Sequence, residues 1–460
     1  MLKIAVPVVL AELGWMTMGV VDTVMVGPLG PEAISAAGVG NSMHIAFAIF
    51  GMAIMLGLDT LVSQAFGARD IRECHRLFFD GLMLAGLMAV PITALLVVVW
   101  FAIPLLGFHG AVRPLLEGYF GILLLSTPFL LAYAVCRRYL QGMHAALPVM
   151  FALITANVIN VVANWTLIYG NLGFPALGVR GAAWATVISR IYMLTALLFA
   201  VWWIDRRRTR EMLGNGGVAA VNVAEVGLWH VDRAFDASRL KRLLWLGLPA
   251  ASQMGAEVGV FALATALSGM LDPISSAAHQ ISLNLAGVAF MIPLGLGSAG
   301  AVRVGHAVGA LDRQRAAAAG WTAILLAIGF TVVAASTFVV WPRQLIGLFS
   351  MDVSVLSVGT SLLLLAAIFQ LFDGIQGVIT GTLRGLGDTQ TAMKVNLVAH
   401  WLFGLPVSYL LCFVAGWGVY GLWVGLSLGL IVVGIILFWV WSIKIRDYRD
   451  YGKLPGPAPS

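Results

Sequence analysis

The sequence predicts an all-α integral membrane protein of twelve transmembrane helices, arranged as two six-helix bundles across a central cleft. Three observations carry that reading: the composition, the recurrence of long apolar stretches, and a repeat that relates the two halves. Of 460 residues, 60% are apolar and 10% charged, and the mean hydropathy is +0.94. Soluble domains carry roughly a quarter charged residues, so a soluble enzyme is excluded. With 21 acidic and 27 basic residues, neither a disordered chain nor a nucleic-acid-binding surface fits. Cys74, Cys136 and Cys412 match no disulfide framework and no metal-ligand spacing.

Stretches long enough to cross a hydrocarbon core of roughly 30 Å as helices fall near 4–26, 38–62, 81–106, 118–139, 146–169, 181–203, 243–270, 277–301, 318–341, 356–382, 392–414 and 419–442. The first starts almost at Met1, runs too long for a signal-peptide core and lacks a small-residue cleavage pattern. Mature and translated chains are expected to coincide. Loops after spans 2, 4, 6, 8 and 10, with the termini, hold most of the Lys and Arg, including Arg69, Arg72, Arg76, the run Arg206 to Arg210, Lys444 and Lys453. The opposite loops hold Arg113, Arg180 and Arg343, and Arg190 is the one basic residue in the middle of a span. This bias predicts a multi-pass protein of the cell inner (plasma) membrane with both termini cytoplasmic.

The halves repeat at an offset of 242: Pro7 falls on Pro249, Leu29 and Pro31 on Leu271 and Pro273, and Gly67-Ala68 with Asp70 on Gly309-Ala310 with Asp312. A second block repeats at 243, with Leu140, Gly142 and Met150 on Leu383, Gly385 and Met393. Six spans per half give both repeats the same membrane orientation. The expected organisation is an N-terminal lobe over 1–204, a cytoplasmic linker over 205–242, a C-terminal lobe over 243–443 and a cytoplasmic tail over 444–460. The linker includes a Gly/Asn-rich piece at Gly214 to Gly217. Pro7, Pro91, Pro128, Pro148, Pro249, Pro293 and Pro406 read as interior prolines, serving either as ordinary kinks or as hinges.

Ionisable groups deep in a bilayer are costly and normally face a protein interior or a wet cavity. Glu257 lies near the middle of span 7 and Asp373 in span 10, with no basic residue in either span to neutralise them. Two carboxylates in one cavity can carry a proton or ligate a hard cation. Glu12 and Asp22 lie in span 1, Glu12 as a possible ion partner of Arg190, and Asp59 is expected at the interface end of span 2. Asn157, Asn160 and Asn164 project from one face of span 5, to line a cavity or to hydrogen-bond across helices. Gln253, Gln376 and His279 are polar candidates for a substrate cleft. No zinc spacing, phosphate-binding loop or catalytic constellation appears, so no enzyme and no cofactor are expected, and transport must draw on an ion gradient.

Val21-Asp22-Thr23-Val24-Met25-Val26-Gly27, Leu58-Asp59-Thr60-Leu61-Val62-Ser63-Gln64-Ala65-Phe66-Gly67-Ala68, Ala277-Ala278-His279-Gln280-Ile281, Asp373-Gly374-Ile375-Gln376 and Gly381-Thr382-Leu383-Arg384-Gly385-Leu386-Gly387-Asp388-Thr389 together resemble the multidrug and toxic compound extrusion (MATE) family across essentially the whole chain, and its NorM-like branch in particular. The resemblance implies a V-shaped antiporter that exports organic cations and other amphipathic drugs in exchange for Na⁺ or H⁺. It implies a C-lobe cation site at Glu257 and Asp373, where Na⁺ is one possible occupant, and an N-lobe site at Asp22 with Asn160 and Asn164. Glu12 stands where the family pattern leads one to expect a neutral polar residue. A flippase for a lipid-linked precursor is the competing reading, but it calls for several cationic cleft residues where this chain has Arg190. Small, mostly cationic substrates, contact with membrane lipid and a monomeric state are expected.

Overall fold

The computed structural model describes residues 1–108, 110–214, 227–229, 231 and 236–452. Among the described residues there is no strand, and twelve helices are long and apolar enough to cross a membrane: α1 (Leu2–Leu29), α2 (Pro31–Gly67), α3 (Ile71–Leu105), α4 (Val112–Gly142), α5 (Ala146–Tyr169), α6 (Val179–Arg210), α7 (Ala237–Ser268), α8 (Pro273–Gly309), α9 (Arg313–Val340), α10 (Val353–Leu386), α11 (Gln390–Val414) and α12 (Gly418–Tyr451). Most outrun the hydropathic stretches that announce them, because helical hydrogen bonding continues into polar residues beyond the apolar layer. Helical structure continues past α6 to Gly214, and α7 starts at Ala237, so both ends of 205–242 extend the flanking helices. Residues 215–217 of the Gly/Asn-rich piece, and the tail from Lys453, lie outside the described residues.

The chain forms two compact units, Leu13–Ala251, and Met1–Glu12 with the chain from Ser252 onward. Both boundaries fall inside helices, α1 and α7.

In the Leu13–Ala251 unit, α4 is packed by α2, α3 and α6, and α5 lies along α6. A Cβ at Gly181 would stand 2.4 Å from the Leu167 carbonyl oxygen, so glycine is what lets α6 approach α5 this closely. Helix α2 is interrupted at Met55 and Leu56, just before Asp59. Asp59, expected at the interface end of span 2, is fully buried in the protein, with Arg138 Nη1 3.4 Å from its Oδ2. The ion pair lets the carboxylate leave water.

In the other unit α10 is the hub, packed by α8, α9 and α12, over a core that includes Leu362, Phe369, Trp423 and Leu426. Its seam with α8 is glycine-lined. A Cβ at Gly381 would meet the Gly297 carbonyl oxygen at 2.2 Å, and one at Gly385 the Ala301 oxygen at 2.5 Å. Small residues four apart allow backbones to touch, which is how helices associate where no hydrophobic effect drives them together.

The sequence repeat is also a repeat of turns. Arg69 and Leu311 both take left-handed backbone, with φ of 62° and 56°, and Asp70 and Asp312 then cap α3 and α9 by accepting from the Glu73 and Arg315 amides. His144 and Gly387 form a second such pair, with φ of 66° and 91°. The prolines divide into classes. Pro7, Pro91, Pro249 and Pro293 are interior to helices, whereas Pro148 stands in the first turn of α5, where no intrahelical N–H is lost, and Pro128 follows a 3₁₀ stretch, Leu124–Ser126, that interrupts α4. Pro406 opens a short α-helical piece between two π-helical stretches of α11, Val398–Gly404 and Leu410–Val414.

Candidate functional site

Two carboxylate-centred polar groups stand out, one in each unit. In the unit that begins again at Ser252, Glu257 of α7 and Asp373 of α10 share a donor. The Gln376 Nε2 donates to Glu257 Oε1 at 3.1 Å and to Asp373 Oδ1 at 3.3 Å. Asp373 and Gln376 lie three residues apart on α10, so they occupy one helix face, and both are buried. Pro293 and Thr331 close against Gly374 on the neighbouring side. The Gln376 Oε1 is buried with no hydrogen-bond partner among the described residues. Gln253, one turn before Glu257, places Nε2 3.5 Å from Thr380 Oγ1. No basic group acts on either carboxylate among the described residues. The arrangement is therefore a buried pair of anionic oxygens with an amide carbonyl beside them, the donor set of a hard monovalent cation or of a shared proton.

On α7 the Glu257 region is further held by Trp401, whose Nε1 donates to the Ala256 carbonyl at 3.2 Å. Sequence reasoning missed Trp401, because an aromatic in a membrane span carries no signal that distinguishes a contact from a lipid-facing ring.

In the Leu13–Ala251 unit, Asp22 Oδ1 accepts from Asn160 Nδ2 at 3.0 Å and from Asn164 Nδ2 at 2.7 Å. Its Oδ2 accepts from Thr186 Oγ1 at 3.0 Å. Asn160 and Asn164 are fully buried, and Asn164 also donates to Asn160 Oδ1 at 3.1 Å. Asn157 does not join them. Its amide donates to the Gly14 and Leu153 carbonyls, each at 2.9 Å, tying α5 to the α1 backbone. Thr186 was not singled out from the sequence, though it lies one turn before Arg190 on the same face of α6.

Arg190 itself donates to Ser126 Oγ at 2.5 Å and lies 3.4 Å from His44 Nδ1, while His44 Nε2 is 3.1 Å from Thr127 Oγ1. It is buried and within electrostatic reach of Asp22. The Asp22 group thus contains its own fixed cation, which the Glu257–Asp373 group does not. Glu12 is buried at the end of the Met1–Glu12 segment, in the other unit from Arg190. His279 is fully buried, accepting from Trp423 Nε1 at its Nδ1 (3.1 Å) and contacting Thr265 Oγ1 through Nε2 (3.2 Å). These bonds fix its tautomer and make it part of the packing around Trp423.

The MatE family model matches this chain twice, over residues 7–166 and 249–410, following the repeat in the sequence. A probable multidrug resistance protein NorM of Mesorhizobium japonicum is 34% identical over 457 residues, covering 97% of this chain and 93% of the relative. The multidrug resistance protein NorM of Burkholderia vietnamiensis is 33% identical, covering 96% of this chain and 93% of the relative. Among solved structures, the eukaryotic MATE transporter AtDTX14 superposes with a TM-score of 0.82 at 22% identity, over 98% of this chain and 97% of that one. An outward-facing multidrug resistance MATE family transporter of the MOP superfamily superposes with a TM-score of 0.85 at 19% identity, over 98% and 96% of the two chains.

Proposed function

We propose that this chain, which belongs to the MATE family, is a secondary active antiporter that exports organic cations in exchange for H⁺ or Na⁺ by alternating access. That it is a multi-pass membrane transporter of small molecules, a multidrug efflux protein and not an enzyme, follows from family membership and its twelve apolar helices. The observation that carries the finer reading is the sharing of one Gln376 amide by Glu257 and Asp373. Two carboxylates held by neutral amide donors, with no basic group among the described residues acting on them, have a place for one positive charge. That charge is the coupling ion, and its binding competes with, or is linked through conformation to, that of a cationic substrate. Asp22, with three hydrogen bonds and Arg190 within electrostatic reach, is better served without an ion.

The substrates are amphipathic and mostly cationic, the protein acts as a monomer in the plasma membrane, and both termini are cytoplasmic, in keeping with the bias of its basic residues. The test is efflux of a cationic dye from proteoliposomes, first under a Na⁺ gradient at clamped pH and then under a pH gradient without Na⁺. One of the two gradients is expected to drive export, and Glu257→Gln or Asp373→Asn to abolish it while the protein remains in the membrane. Wild-type rates from both variants would overturn the site, and transport driven by neither gradient would overturn antiport.

A further inference from the structure

The polar end of α6 carries a feature that neither carboxylate group uses. From Phe199 to Arg210 one side of this helix passes from apolar to aromatic to cationic. Phe199 is 62% exposed and Trp203 49%, and the Phe199 and Trp202 rings lie 5.4 Å apart. The Arg206 guanidinium stands 4.5 Å over the Trp202 ring and that of Arg207 5.8 Å over Trp203. Arg206, Arg207 and Arg210 are all exposed. At 1.5 Å per residue this side is about 16 Å long, enough to run from the acyl chains of one leaflet into its headgroups. Trp202, Trp203 and the three arginines line a recess of about 450 Å³, within the roughly 300–1,000 Å³ range of small-ligand sites.

The opposite side of the same stretch is engaged by protein. Asp205 accepts from the Leu228 amide at 3.2 Å and lies 3.4 Å from His75 Nε2, while Arg208 donates to the Met143 carbonyl at 3.2 Å. Asp205, next to Arg206 in the sequence, is thus held elsewhere, and the described residues that line the recess include no carboxylate; the side chain of Glu211, which follows Arg210, lies outside the described residues. A second basic recess, lined in part by Arg303, His306 and Arg315, differs in this respect. It includes Asp312, 3.2 Å from Arg315 Nε.

From the tryptophan–arginine recess we infer that α6 binds the headgroup of an anionic phospholipid, with the phosphate on Arg206 and Arg210 and an acyl chain along Phe199 and Trp203. Stacking on Trp202 uses the flat face of the Arg206 guanidinium and leaves its in-plane N–H groups to meet phosphate oxygens. Indole rings favour headgroup depth, and juxtamembrane arginines draw anionic lipid. A zwitterionic headgroup brings an ammonium that the three arginines repel, so the recess discriminates by net charge.

The test is native mass spectrometry of the full-length protein in detergent, with equimolar dioleoyl phosphatidylglycerol and dioleoyl phosphatidylcholine. Wild type is expected to retain phosphatidylglycerol in preference. The R206Q/R207Q/R210Q variant is expected to retain at least about tenfold less, since each arginine near a membrane surface strengthens anionic-lipid binding several-fold. R303Q/R315Q, which alters the other recess, is expected to behave as wild type. If the triple variant is not monodisperse, R206Q alone supplies the same comparison with a smaller loss. Equal retention of both lipids by wild type, or undiminished phosphatidylglycerol on the monodisperse variant, would overturn the assignment. Competition by soluble glycerol phosphate at the lipid's own concentration would overturn it too, since the acyl chain would then contribute nothing.

Discussion

Gly381→Ala tests whether the α8–α10 seam holds its unit together. The added Cβ would stand 2.2 Å from the Gly297 carbonyl oxygen, 2.5 Å from its carbon and 2.7 Å from its Cα. These are backbone atoms, so no rotamer change relieves the clash. Ordinary contact begins at 3.4 Å, and the two helices must therefore part locally by more than about 1 Å. A gap of that size forfeits roughly a quarter to a half of each nearby dispersion contact, of about 0.1–0.2 kcal/mol apiece. Over the few tens of atom pairs along the seam, the loss is about 1–3 kcal/mol, the usual cost of overpacking.

The assay is apparent thermal unfolding of detergent-solubilised protein, followed as loss of the monodisperse peak, with an expected fall of roughly 2–10 °C for a unit of this size. Gly329→Ala is the control, because a Cβ there, in α9 of the same unit, meets nothing within 4 Å. It is expected to be neutral or to raise the midpoint slightly, alanine being the better helix former by about 1 kcal/mol. Melting of Gly381→Ala at the wild-type temperature, or an equal fall in both variants, would refute the reasoning.

Asn157→Ala removes two hydrogen bonds to backbone carbonyls and is expected to cost about 1–3 kcal/mol while leaving gradient-driven dye efflux intact; loss of coupling without loss of thermal stability would contradict it. Gly387→Ala forces a side chain into left-handed backbone at a cost of about 1–2 kcal/mol, whereas His144→Gly at the repeat-related turn is expected to be neutral or stabilising, both read from melting midpoints. Asp272 caps α8 by accepting from the Ser275 hydroxyl and amide, bonds that hold its carboxyl below the usual aspartate range. Such stabilisation is complete above the unfolded value and lost as the carboxyl protonates at lower pH, so the deficit of Asp272→Ala is expected to be full at neutral pH and to shrink below about pH 4. A deficit that does not change with pH would show that the charge has no part in it.

Hydropathy located the twelve helices because a bilayer imposes a minimum apolar length that few other contexts demand. The same signal misplaced their ends, since a helix does not stop where its apolar residues do, as α6 and α12 show. Spacing put Asn157, Asn160 and Asn164 on one face of α5, but a face is not a partner. The first reaches the Gly14 carbonyl and the other two reach Asp22. Charge in a span marked Glu257, Asp373 and Asp22 for the energetic reason that such groups need a special environment. Nothing in the sequence marked Thr186 or Trp401, whose residue types are at home in any membrane helix, nor the π-helical stretches of α11, which have no compositional signature beyond Pro406. The seam of Gly377, Gly381 and Gly385 was legible in principle as glycines four apart, the pattern of close helix contact.

The two acids of the Glu257–Asp373 group are anchored unequally, and this bears on antiport. Asp373 rides on α10, whose backbone touches α8 at Gly381 and Gly385, so moving it opens a glycine-lined seam. Glu257 rides on α7, braced at Ala256 by Trp401 from a π-helical stretch of α11. Such stretches break the regular hydrogen-bond ladder and recur at functional positions. Gln376 belongs to α10 and stays with Asp373 if the two helices shift against one another, so the bond that changes is its bond to Glu257. A hydrogen bond to a charged group is worth about 1.5–3 kcal/mol net, and couplings between linked sites are typically about 1–3 kcal/mol. On the antiport reading, an ion that takes the place of the Gln376 amide between the carboxylates therefore commands enough free energy, through one contact, to bias α7 between two positions while α10 remains seated.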